Sequence, residues 1–171
     1  MPNSDGVEFS SNLGNVLSAT EKAVERAAEI IGGMIESKAK ENITDNGNVD
    51  TGLLRNSITH GIEGGKTSIS SYKADRGSGS GSYSGTIPKG NDSGTVVVVG
   101  TNVFYAPFIE LGTGKFAEGG GGKSVQWKYK DEKGNWYTTS GYPPHPFLRP
   151  AVEGHADEYR QVLAQELSEI K

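Results

Sequence analysis

The chain has 171 residues, 33% of them hydrophobic, 25 of them glycine and none cysteine, which allows one domain with a modest core and much irregular chain. Without cysteine there is no disulfide framework and no thiolate metal site, and no apolar run approaches the ~20 residues that span a bilayer. A net charge of −4 argues against a surface that grips phosphates throughout, because such affinity comes from clustered Lys and Arg.

The opening MPNSDGVEFSSN lacks the basic flank and apolar stretch of a signal peptide. The expectation is a soluble protein made in the cytoplasm, with no membrane partner. From Leu13 the residues Leu17, Val24, Ala28, Ile31, Ile35, Ala39 and Ile43 keep a spacing near 3.6, which predicts a helix over 10–43 capped by Ser10 or Ser11. About 30 helical residues reach roughly 45 Å, more than a small domain covers. Part of the stripe, with Leu17, Val24, Ile31 and Ile35 as candidates, is therefore expected to pack on another subunit. Gly32-Gly33 marks either a kink or a close helix crossing.

Asp50 to Ser57 reads as a short helix or turn, with Asp50 or Thr51 as its cap. Ile58 to Ile62 reads as a strand with His60 on the face opposite Ile58 and Ile62, continued into Ile69 to Tyr72 through a turn at Gly64-Gly65. Residues 75–94 are rich in Gly and Ser without periodicity and predict a flexible loop. The run TVVVVG, 95–100, predicts a central strand covered on both faces, and Phe104 to Leu111 a short helix. Residues 112–141 combine a second glycine-rich loop with an inserted β-hairpin, in which Val125 to Tyr129 answers Trp136 to Thr139. Val152, Ala156, Tyr159, Leu163, Leu167 and Ile170 predict one amphipathic helix over 150–171. Residues 1–171 thus form a single α+β domain: a long N-terminal helix, a small antiparallel-rich sheet, an inserted β-hairpin and a C-terminal amphipathic helix.

The segment Ala117-Glu118-Gly119-Gly120-Gly121-Gly122-Lys123-Ser124 satisfies a relaxed phosphate-loop pattern, but a strand follows where a helix N-terminus is needed. A nucleotide-binding enzyme using the Lys123 loop is therefore an alternative, and glycine richness the simpler explanation. His60, His145 and His155 lie far apart and show no metal-ligand spacing, so no metal or other cofactor is expected. Trp127, Tyr129, Trp136 and Tyr137 with Lys128 and Lys130 could stack bases as a nucleic-acid-binding module, although cross-strand pairing explains them as well. Glu110 stands inside an apolar run, where it could be catalytic, cap a neighbouring backbone, or pair with Arg55 or Arg149. No Gly-x-Ser-x-Gly elbow is present.

Three segments, taken in order behind the long helix, resemble one family. They are Asp50-Thr51-Gly52-Leu53-Leu54-Arg55-Asn56-Ser57-Ile58, then Tyr105-Ala106-Pro107-Phe108-Ile109-Glu110-Leu111-Gly112-Thr113-Gly114, then Pro146-Phe147-Leu148-Arg149-Pro150-Ala151. Together they are similar to the minor tail component family of siphophages, the gene-ten product type of lambda-like phages. The resemblance implies a non-enzymatic subunit that assembles in the bacterial host into a ring, expected to be hexameric, at the head–tail junction of a virion. Its implied partners are further copies of itself, head-completion or connector proteins, and the tail terminator or tail tube protein. Genomic double-stranded DNA would pass through the lumen without specific binding. Arg55, Glu110 and Arg149 are expected to form one polar network joining the motifs. Glu153, Asp157, Glu158, Glu166 and Glu169 make the C-terminal helix one candidate for an acidic lining of that lumen, although the solvated face of an amphipathic helix explains them as well.

Overall fold

A computed structural model describes residues 11–90, 94–123, 125–131 and 133–170. Helix α1 runs unbroken from Leu13 to Asp45, about 50 Å at 1.5 Å per residue. The N-cap position is Asn12, without a side-chain cap bond, rather than Ser11, which precedes it with its Oγ 3.4 Å from the backbone N of Leu13; Ser10 lies outside the described residues. The far end is closed by Gly47, whose φ of +70° lets the N–H of Asn48 reach back to the carbonyl of Ile43 at 3.1 Å. A side chain at Gly47 would strain that left-handed turn.

After α1 come α2 (Leu53–Ser57), β1 (Thr59–Ile62), β2 (Ser71–Lys73), β3 (Ser80–Ser82), β4 (Val97–Gly100) and α3 (Ala106–Leu111). Two short 3₁₀ turns lead to β5 (Trp127–Lys130) and β6 (Trp136–Thr139), and the described chain closes with α4 (Leu148–Glu153) and α5 (Ala156–Ser168). Each strand pair is antiparallel: β1 with β4, β2 with β3, β5 with β6. The α+β architecture expected from the sequence is what forms.

Four expectations change. The valine strand β4 is not central: it pairs only with β1 among the described residues, and Val98 is exposed. Strand β2 finds its partner in β3, inside the Gly/Ser-rich stretch, rather than in β1. Tyr83 anchors that stretch by donating its hydroxyl to the Ser57 carbonyl at 2.5 Å and accepting from the Asn102 N–H at 3.2 Å. The C-terminal helix divides at Gly154-His155 into α4 and α5. Finally, His60 shares its strand face with Ile58 and Ile62, as the period of two requires, and that face meets α1.

The core lies where α1 receives the rest of the chain. Ile35, Ala39 and Ile43 on α1 meet Leu54, Ile58, Val103, Ala106, Phe147, Ala151 and Tyr159. Helices α4 and α5 both pack against α1, and Arg26 pairs with Glu166 of α5 at 2.9 Å. Toward its start α1 is uncovered, since its buried residues begin only at Ala23.

Candidate functional site

The three sequence motifs converge on that core. Leu54 and Ile58 come from the first, Ala106 from the second, and Phe147 and Ala151 from the third. Phe147 is the largest fully buried side chain. Its backbone is held from two sides: Asn42 Nδ2 donates to its carbonyl at 3.0 Å, and its own N–H donates to Glu110 Oε2 at 2.7 Å.

Glu110 also accepts from the N–H of Leu148 at 3.0 Å on Oε2 and from the N–H of Arg149 at 3.0 Å on Oε1. Helix α4 has no capping side chain of its own, so a carboxylate from α3 satisfies the N–H groups that every helix start leaves open. Of the roles open to Glu110 in the sequence, the geometry selects the backbone cap.

Arg55, Glu110 and Arg149 do not form one network. Arg55 Nη2 bonds Asp75 Oδ2 at 2.6 Å. Arg149 makes a two-pronged contact with Glu118, at 3.3 Å and 2.8 Å. Arg55 therefore ties its motif to the glycine-rich segment that follows it and Arg149 to the one that precedes it, and of the three side chains only that of Glu110 links two motifs.

Sequence reasoning missed the polar cluster between α1 and β1. His60 Nδ1 lies 2.6 Å from Glu36 Oε2, and Nε2 lies 3.3 Å from Glu29 Oε1. Glu36 also accepts from Lys40 Nζ at 2.5 Å and from Ser68 Oγ at 2.8 Å. Gly32 makes the approach possible, because a Cβ there would stand 2.6 Å from His60 Cδ2. The glycine pair thus marks a close crossing by a strand, and the helix does not break. The Glu36–Lys40 spacing was visible in the sequence, but nothing local announced His60.

Burial raises the Glu36 pKa, and the hydrogen bonds from Lys40, His60 and Ser68 outweigh it, leaving the carboxyl below its ordinary value. A lowered carboxylate pKa contributes stability that is present above the unfolded value and lost as pH falls through the folded one. The Glu36→Gln variant should therefore be less stable than the parent at pH 7, with the gap closing as pH drops below 4.5, the ordinary value. Urea melts at a series of pH values measure it; a gap that stays constant on acidification would contradict the assignment.

Of the residues expected at a subunit contact, Ile35 belongs to its own core and Ile31 packs against it. Val24 is half-buried, and Leu17 is exposed. Leu13 and Val16, 63% and 47% exposed, join Leu17 at 55% on the uncovered start of α1.

The Lys123 loop leads into β5, so no helix N-terminus follows to meet a phosphate; Ser124 lies outside the described residues. A Cβ at Gly122 would come within 1.9 Å of the Gly114 carbonyl oxygen, which gives that glycine a packing reason. Among the described residues no group of three or more His, Asp or Glu is placed to hold a metal, and no helix is long and apolar enough to cross a membrane.

Residues 8–112 match the family described as "Bacteriophage HK97-gp10, putative tail-component". The chain belongs to the HK97-gp10-like family. No curated protein and no solved structure matches it. The matched stretch takes in α1, the first motif, the β1–β4 pair and the second motif as far as Gly112. The β5–β6 hairpin and helices α4 and α5 of this HK97-gp10-like chain lie beyond it. Four of the five carboxylates proposed as an acidic lining, Glu153, Asp157, Glu158 and Glu169, are exposed, whereas Glu166 is turned to Arg26.

Proposed function

We propose that this protein is a structural subunit of a siphophage virion. It assembles as a ring, hexameric by analogy, at the head–tail junction, where it joins head-completion and connector proteins to the tail terminator or tail tube and lets DNA pass. Membership of a phage tail-component family carries the reading. The geometry supports a part that assembles rather than one that catalyses. Glu110, the one carboxylate set in an apolar run, is committed to three backbone N–H groups. The start of α1 presents Leu13, Val16 and Leu17 to solvent, and Phe104 on the approach to α3 is 83% exposed. Such surface is what a neighbouring subunit covers.

Electron microscopy of the purified protein tests the assembly. The wild type should form closed rings. Changing Leu13, Val16 and Leu17 together to Glu should leave helix content intact and abolish them. Burying each apolar side chain is worth roughly 1.5–3 kcal/mol, so association should weaken by on the order of 100-fold or more. If the triple variant forms the same rings, the start of α1 is not a subunit contact.

A further inference from the structure

Strand β4 bonds to β1 along one side and offers its other edge unpaired among the described residues. Between β4 and the helices α3 and α4 runs a groove whose lining includes Ile35, Val98, Leu111, Leu148 and Val152. Val98, Leu111 and Val152 are exposed there. A strand edge beside apolar side chains accepts an extended segment, because ladder bonds supply affinity while the groove takes side chains.

The same chain carries a segment of matching form. The β5–β6 hairpin stands on a stem in which the Thr113 N–H donates to the Tyr142 carbonyl at 2.8 Å and the Lys115 N–H to the Ser140 carbonyl at 2.9 Å. The Arg149–Glu118 pair braces it against α4. Its strands have four residues each, as β4 has. By the register, Trp127, Tyr129, Tyr137 and Thr139 share one face and Lys128, Lys130, Trp136 and Thr138 the other. Neither face is covered: Trp136 is 68% exposed, and Tyr129 and Tyr137 are also open. A two-stranded hairpin is marginal in water by itself, and exposed aromatic rings are the usual anchors of an interface.

Charge indicates whose groove it enters. Residues 113–141 hold five lysines against three carboxylates, so of the 17 basic and 21 acidic residues, 12 and 18 remain for the rest of the chain. A positive arm on a negative body repels a polyanion overall and attracts the body of another copy. Arm and groove are different patches, so the contact is head-to-tail, and repeating it closes a ring when the rotation allows.

We propose that the β5–β6 arm of one copy docks along β4 of the next, adding a strand to its two-stranded sheet and covering Val98, Leu111 and Val152. This rests on the self-assembly described above. Two experiments test it. Replacing residues 116–139 by a short glycine link, which the stem tolerates because its ends are already bonded, should keep helix content and lose ring assembly by at least tenfold in concentration. The chain has no cysteine, so Val98→Cys combined with Lys128→Cys or Thr138→Cys should give an oxidised ladder of multimers, whereas each single variant gives no ladder. An armless chain that assembles like the wild type, or assembled double variants that never cross-link, overturns the arm contact and leaves self-assembly standing. A wild type that stays monomeric at every concentration overturns both. Retention of duplex DNA that falls with salt and vanishes with the arm would assign the arm to nucleic acid instead.

Discussion

Phe147→Ala should unfold the protein at a much lower temperature than the wild type. The ring is fully buried, and three motifs and α1 close around it. Truncating a buried Phe costs about 3–5 kcal/mol in lost transfer energy and cavity formation. For a chain of this size each kcal/mol moves the melting temperature by about 2–4 °C, so calorimetry should record a fall of roughly 6–20 °C. Phe147→Leu, which keeps most of the volume, should recover more than half of it. A loss under about 1 kcal/mol for the alanine variant would mean that the motifs do not share one core.

The sequence showed α1 clearly because its apolar residues recur at one spacing for eight turns, and a signal of that length survives local noise. The β5–β6 hairpin was legible for a similar reason: alternation on both sides of Asp131–Asn135 places Trp127 opposite Thr139 and Tyr129 opposite Tyr137. Pairing between distant strands was not legible. Four valines describe a strand that likes burial, but whether β4 has one neighbour or two depends on what the remaining chain supplies. Ser80–Ser82 has no apolar pattern at all, and forms β3 where Tyr72, opposite Gly81 in the ladder, and Tyr83, just past its end, anchor it, the Tyr72 hydroxyl to Asn102 and the Tyr83 hydroxyl to Ser57.

The candidate site shows the same division. Arg55, Glu110 and Arg149 were found because charged residues inside apolar motifs must have partners, but charge alone could not name them. Asp75 and Glu118 lie in glycine-rich segments that read as featureless, and they take the two arginines. His60 is a sharper case. Its partners Glu29 and Glu36 occupy a helix whose carboxylates read as a solvated face, and only the tertiary crossing at Gly32 brings His60 to them, enclosing Glu36 while Glu29 stays exposed.

Removing the carboxylate of Glu110 should be the most damaging change among the charged residues. It accepts three backbone N–H groups, from Phe147, Leu148 and Arg149, and α4 offers no local side chain to replace it. Hydrogen bonds to a charged group contribute about 1.5–3 kcal/mol net, and a buried N–H left unpaired costs about 1–3 kcal/mol. The Arg149 N–H is near solvent and recovers a water, whereas the Phe147 N–H lies behind the buried ring. Glu110→Ala should therefore cost about 3 kcal/mol. Glu110→Gln is the finer test. With its oxygen toward Phe147 and Leu148 it keeps two bonds, but its amide N–H₂ then faces the N–H of Arg149, so about half the loss should remain. Chemical denaturation of both variants measures the difference. Equal stability of Glu110→Ala and wild type would remove Glu110 from the account of how α3 holds α4, and equal losses for Ala and Gln would mean that the charge matters more than the geometry of the cap.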